Sequence, residues 1–359
     1  MQSMSFHVGK RFVLVLAVCV LAGATAGYFL YRHLGKGALN PAPASSVVAL
    51  QLDPDNEPDA LAYADLVLQL GPLKKPSKPY RVGVVMKFFG NQYWQLLAEG
   101  MRNEALDRGV LLTIQAGQGE NDPDGQRQRM ESMLEQAFHA YVISPQTPTN
   151  LVKPVYEARQ KGVPILNVNE SGREGVEHFL GPRQKEAGAL AAGYFIARFP
   201  EGGKVAVLKG LKGGYAAEQR SLGFREALEG KPFEVVAEPE ADWDLQKAMG
   251  KANDILARHP DLLGFYCNND TMALGAAQAA LRLSTQGKKY VVIGTDGIEP
   301  AYDAIRAGTV TGTVDSHPAR MGRIAVELTL RMIEGQRLPR VIYSPQELIT
   351  LENIDERGE

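Results

Sequence analysis

Cysteine is almost absent from this chain: Cys19 and Cys267 are the only two in 359 residues. One falls in an N-terminal apolar run and the other in a late strand pattern, so no disulfide framework holds the fold, and the compartment is not decided by them. An excess of charge of one sign is missing too. Lysine and arginine number 39 against 41 aspartates and glutamates, a formal net charge of −2, which offers neither a basic face for nucleic acid nor an acidic tail. The six histidines (His7, His33, His139, His178, His259 and His317) show no metal-ligand spacing. No G-x-S-x-G elbow occurs. The glycine-rich loop at residues 210–214 follows a strand pattern and precedes a helix, but it has neither phosphate-loop spacing and reads as a tight turn. No metal, cofactor or enzymatic chemistry is expected.

What the chain does have is a core of ordinary size, 45% hydrophobic, on a length that suits two lobes plus an appendage. Lys10 and Arg11 precede twenty uncharged residues, 12–31. A helix of that length spans roughly 30 Å, the thickness of a bilayer core. A cleavable signal with Ala24-Thr25-Ala26 at its processing site is the rival reading. Length favours an anchor in the inner membrane, since cutting there leaves an apolar stub. Either way the rest of the chain is exported to the periplasm. Residues 1–38 are therefore assigned to the anchor or signal. Residues 39–79, punctuated by seven prolines, read as a tether, with a short amphipathic helix conceivable over 59–70.

The organising stretch runs from Arg81 to Gly109. A β-branched run, Val82 to Met86, reads as a buried strand. After a polar break comes a helical pattern with Trp94, Leu97, Met101 and Ala105 on one side, ended by Gly109, and then a second strand from Val110. Strand, helix, strand is a parallel βαβ unit, and ligands of open sheets bind beyond the carboxyl ends of the strands. Lys87, Asn91, Tyr93 and Trp94 occupy that place, with Tyr93 expected to be the more exposed ring. The same grammar repeats down the chain and restarts near Lys204. Two α/β lobes with doubly wound parallel sheets follow from it, facing one another across a cleft. Polar or aromatic residues cap strand after strand: Asn169-Glu170, Asp242-Trp243-Asp244, Asn268-Asn269-Asp270 and Asp296. Any one of these can be a turn residue; the fold would collect them all in one place.

With the strand ends assembled, residues 80–351 resemble the periplasmic ribose-type sugar-binding proteins, the type I periplasmic binding protein fold. The stretches that carry the likeness are VGVVMKFFGNQYWQLLAEG, VPILNVNE, KVAVLKGLKGGYAAEQRSLGF, ADWD, FYCNNDTMALGAAQAAL, VVIGTDG and VDSHPARMG. The resemblance implies three crossings, near Pro182, Ser316 and Pro345. The lobes then comprise residues 80–182 plus 317–344 and residues 183–316 plus 345–354. It places ligand contacts at Lys87, Asn91, Tyr93, Trp94, Asn169 and Glu170 in the first lobe and at Glu218, Trp243, Asn269 and Asp296 in the second, with Ser316 at the hinge. Aromatic rings would sandwich a sugar whose rim needs hydrogen bonds.

The departures from the family pattern matter. Ribose binders carry Asp-Arg where this chain has Asn169-Glu170, and Arg where it has Glu218. Counting Glu170, Glu218 and Asp296 against Lys87, the site would carry a formal −2. A polyol, an amino-sugar or a methylated amine is therefore expected in place of plain ribose. In the other reading, Glu170 or Glu218 pairs with a nearby lysine and never meets ligand. The function implied is hinge-closing capture of a small polar molecule by a monomer, which presents it to a membrane ABC importer. The alternative is a membrane-tethered sensor signalling to a kinase or chemoreceptor.

Overall fold

The computed structural model describes residues 52–76, 78–170, 174–283 and 289–356. The expected membrane-crossing run, residues 12–31, lies outside them, as does Cys19. Among the described residues no helix is long and apolar enough to cross a membrane.

Two sheets organise the fold. In the first, seven strands run in the order β1-β12-β6-β5-β4-β2-β3. They are β1 (Leu61–Ala62), β2 (Arg81–Met86), β3 (Leu111–Ala116), β4 (Ala140–Ile143), β5 (Ile165–Val168), β6 (His178–Gly181) and β12 (Val341–Tyr343). All its pairings are parallel. The second sheet has the order β13-β11-β10-β9-β7-β8. Its strands are β7 (Gly203–Leu208), β8 (Phe233–Ala237), β9 (Gly264–Cys267), β10 (Val291–Asp296), β11 (Gly312–Asp315) and β13 (Glu347–Thr350). Only β13, at the edge, runs antiparallel to its neighbour. Strands such as β2, β4, β5 and β9 are buried along nearly their whole length, as parallel strands covered on both faces must be.

The chain passes from one sheet to the other three times: after β6 through residues 182–183, after β11 through 316–317, and after β12 through 344–346. The helices that follow these crossings pack closely on a partner, and glycine makes the approach possible. The helix α2 (Gln92–Arg108) lies against α10 (Pro318–Ile333). A Cβ on Gly100 would run into the Ala319 carbonyl, and one on Gly322 into the Leu97 carbonyl. In the second lobe α5 (Gln184–Arg198) meets α6 (Tyr215–Leu228) in the same manner. There Gly188 faces the Arg220 carbonyl and Gly223 the Lys185 carbonyl.

The structure corrects the tether. From Leu52 onward the segment is docked on the first lobe. β1 adds a strand to the sheet edge beside β12, and α1 (Tyr63–Leu70) buries Leu66. Leu52 packs on Phe179 and Val341. The Tyr343 hydroxyl donates to the Pro54 carbonyl (2.7 Å), Tyr63 to Glu327 (2.7 Å), and buried Arg331 to the Gly71 carbonyl (2.7 Å). Prolines here fix an extended path along a surface; they do not mark free linker. One bond of this strap reaches the other lobe: the hydroxyl of Tyr215, in the first turn of α6, donates to Asp55 at 3.0 Å.

Gly100→Ala should cost about 1–3 kcal/mol of stability through overpacking, and Tyr215→Phe about 1 kcal/mol through the lost bond to the strap. Urea unfolding of the full chain measures both; equal and negligible shifts would contradict the packing described.

Candidate ligand-binding cleft

Each strand end delivers its polar residues to the same place. Lys87 follows β2, Asn169 and Glu170 follow β5, Asn269 follows β9, and Asp296 ends β10. Asn91 caps α2, and Tyr93 and Trp94 open that helix. Trp243 comes from the turn between β8 and α7 (Leu245–Arg258). Together with Glu120, Ala216 and Arg220, these nine residues line one small cavity. It lies between the lobes, with residues of both sheets in its wall.

The backbone is strained where it shapes this cavity. Among the described residues, five other than glycine have positive φ: Asn169 (66°), Asp242 (52°), Trp243 (62°), Asp296 (138°) and His317 (47°). Three of them line the cleft. Left-handed backbone costs energy for residues with a Cβ and persists where the surroundings enforce it, as at binding sites. For Trp243 the enforcing element is visible. A Cβ on Gly210 would collide with the Trp243 indole, so the glycine loop after β7 is the seat of a ring as well as a turn.

Charges in the cleft are paired. Lys87 Nζ sits 2.9 Å from Glu170 Oε1, both side chains buried, and 5.8 Å from the centre of the Trp94 ring. Arg220 reaches Asp296 Oδ1 at 3.3 Å. Burial pushes the Asp296 carboxyl upward, and the guanidinium opposes that shift. Arg220 also donates to Gln184 Oε1 (2.7 Å) and to the Asn268 carbonyl (2.5 Å). The side-chain amide of Gln184 in turn donates to Asn169 Oδ1 (3.0 Å). Glu120 stands apart: burial, with the Glu170 carboxylate adding and Lys87 opposing, raises it to about 7.

The three asparagines share one arrangement. Asn91 Oδ1 accepts from the Tyr93 amide (2.9 Å), Asn169 Oδ1 from Gln184, and Asn269 Oδ1 from the Met272 amide (2.9 Å). Each carbonyl oxygen is thus engaged within the protein, and among the described residues each NH₂ has no acceptor and is left to act as a donor.

Two expected contacts are not brought to the cavity. Glu218 pairs with Lys209 (3.1 Å), so the alternative of a lysine partner holds for it. Ser316 is fully buried, its hydroxyl donating to the Asp296 carbonyl at 3.2 Å. It braces the crossing from behind. Glu170 does both things, pairing with Lys87 and lining the cleft. The order of the rings is also reversed, for Tyr93 is 2% exposed and Trp94 5%. Arg220 was missed, although the helical period shows it. It lies three and four residues from Ala217, Ala216 and Phe224, all buried, whereas Glu218 falls off that face. With Arg220 in and Glu218 out, the formal −2 no longer describes the site. Glu120 had no signal in the sequence, because it sits in an irregular loop.

Residues 82–337 match the family described as periplasmic binding protein domain. The D-allose-binding periplasmic protein of Escherichia coli is 34% identical over 269 residues, 72% of this chain and 85% of that protein. A ribose import binding protein of Bacillus subtilis is 30% identical, over 76% of this chain and 88% of its own length. Among solved structures, an ABC transporter periplasmic solute binding protein from Actinobacillus succinogenes with bound D-allose superposes with a TM-score of 0.72 at 26% identity. That match covers 78% of this chain and all of the other.

Arg220→Leu leaves Asp296 buried without its counter-ion and should cost about 3–5 kcal/mol of stability. Chemical denaturation reads this directly, and a loss below 1 kcal/mol would mean the pair is not closed off from solvent.

Proposed function

The chain belongs to the periplasmic binding protein family, and on that premise we propose that it is a solute-binding protein for a small polyhydroxylated molecule, a monosaccharide or polyol. It acts in the periplasm and delivers its ligand to a membrane ABC importer. The observation that carries the choice of ligand is the alternation of hydrogen-bonding groups around the cavity. Three asparagine NH₂ groups are left to donate, while Glu170 and Asp296 have oxygens to accept. A hydroxyl is both donor and acceptor, so a ring of hydroxyls satisfies such a rim where a purely apolar or purely anionic ligand cannot. The indoles of Trp94 and Trp243 supply apolar faces for the C–H surfaces of a sugar.

Binding needs no chemistry. Ligand docks on one lobe, and the other closes over it through the three crossings. Only contacts made to both lobes at once favour the closed form, so the cross-cleft wall sets the population shift. The closed surface is what an importer reads. The names of the allose and ribose relatives support this reading.

A thermal-shift screen of the full chain against pentoses, hexoses and polyols tests it. A true ligand at 100 times its Kd should stabilise by about 2.7 kcal/mol, and Trp243→Ala should weaken the hit roughly tenfold or more by removing one ring face. A screen in which no sugar or polyol stabilises the chain, or in which Trp243→Ala binds as tightly, would sink the proposal.

A further inference from the structure

Glu120, like Arg220 and Ala216, is a cavity residue that neither the strand pattern nor the family resemblance brought forward. It lies in the loop between β3 and α3 (Pro123–Leu134), and the backbone on both sides of it is fixed. The Gly117 amide donates to the Lys87 carbonyl at 2.9 Å. Gln146 Nε2 donates to the Lys87 carbonyl (3.0 Å) and to the Gly119 carbonyl (2.8 Å). The Asp122 amide donates to Gln146 Oε1 (2.6 Å). The loop is thereby tied to the strand end that carries Lys87, and the Glu120 side chain forms part of the cavity wall. Among the described residues no protein group donates a hydrogen bond or ion pair to its carboxyl.

Every other charge facing it is taken. Lys87, after β2, is held by Glu170, after β5. Arg220, from α6, is held by Asp296, at the end of β10. On its own loop Asp122 accepts from the Gln118 and Gly125 amides. Tyr93, from α2, is a phenol that burial keeps un-ionised. The two pairs cancel, so among the described residues an ionised Glu120 is the one uncompensated charge in the cleft wall, and a charge partly withdrawn from water gains from a partner. We infer that Glu120 is a specificity-determining residue and that the ligand it selects carries an ammonium group on its polyhydroxylated frame, an amino-sugar or amino-polyol. This deepens the solute-binding reading above and rests on it.

The direction of the pH dependence follows. With its carboxyl raised to about 7 by burial, Glu120 holds a proton in the empty cleft on the acid side of neutrality. An ammonium ligand expels that proton. Affinity for the amine therefore climbs with pH toward about 7 while the amine stays charged, roughly a fivefold gain from about pH 6 to about pH 7.

The test is titration calorimetry of the full chain and of Glu120→Gln, at these two pH values, with matched probes. The pairs are D-glucose with D-glucosamine, D-allose with its 2-amino-2-deoxy analogue, and myo-inositol with an inosamine. The native chain should prefer the amine of at least one pair. Glu120→Gln should lower the ratio of amine to neutral affinity by about 10- to 100-fold, the worth of one charge-assisted hydrogen bond, and should abolish the pH trend. Thermal unfolding without probe checks that the variant is folded. If neutral members bind and amines do not, or the ratio and the pH trend survive in Glu120→Gln, this inference falls and the solute-binding function stands. If no probe of either kind binds the native chain, the sugar or polyol reading falls and takes the inference with it.

Discussion

A single buried guanidinium holds the floor of the cleft together. Arg220 touches Gln184 on the neighbouring helix, the carbonyl at the end of β9 and the carboxyl at the end of β10. Through Gln184 the chain of hydrogen bonds continues to Asn169, at the end of a strand in the opposite lobe. Two sheets that share no strand are thus joined by polar bonds directly beneath the cavity. Such groups are costly to bury unless each finds a partner, and here the partners are the strand ends of the binding surface. The same network orients the Asn169 amide, so the interaction that holds the lobes in register also sets which way a ligand-facing donor points.

Strain and support are distributed around this floor in a consistent way. Among the described residues, those other than glycine with positive φ are at the ends of β5 and β10, in the turn before α7, and at His317 of the second crossing, which sits between Asp315 (3.2 Å) and Glu347 (3.2 Å). At Asn169, Trp243 and Asp296 the bent chain turns the side chain into the cavity wall, and packing from behind keeps it there. Gly210 gives space to the Trp243 indole, and Asp270 accepts from the amides of Gly297 and Ile298 at 2.9 and 3.0 Å, holding the turn after Asp296. The strap from Leu52 to Gly71 adds a strand and a helix to the outside of the first lobe. Its bond from Asp55 to Tyr215 reaches the helix whose next residue, Ala216, lines the cavity. An element outside the matched family region, 82–337, therefore has a direct mechanical connection to the cleft wall.

Much of this was legible beforehand, for identifiable reasons. Parallel strands buried on both faces leave near-continuous apolar runs, and the polar residues ending them are conspicuous by contrast; Lys87, Asn269 and Asp296 were found that way. The helix of Trp94, Leu97 and Met101 declared its buried face by period. What escaped was whatever depended on direction in space. Glu218 and Arg220 are two residues apart on one helix, yet one turns out to Lys209 and the other in to Asp296. Tyr93 and Trp94 are adjacent, and both are buried because α10 and the opposite lobe cover them. The proline-rich segment after Leu52 looked like a linker because prolines and acids dominate it. Its docking depends on an open sheet edge at β12 that local composition does not reveal.

Apart from β1, β6 and β13, the order of strands and helices was set by the sequence alone, as were the two-lobed class and the polar identity of the strand ends, since periodicity and burial are local properties of a chain folding into parallel sheets. Which charges cancel was decided only in three dimensions. Lys87 lies 83 positions from Glu170 and Arg220 lies 76 from Asp296, and only the folding of each lobe on its own sheet brings its pair within reach. The carboxyl of Glu120, left over when that pairing is complete, acquires its meaning from the tertiary structure, because an unbalanced charge is a property of a place and not of a residue.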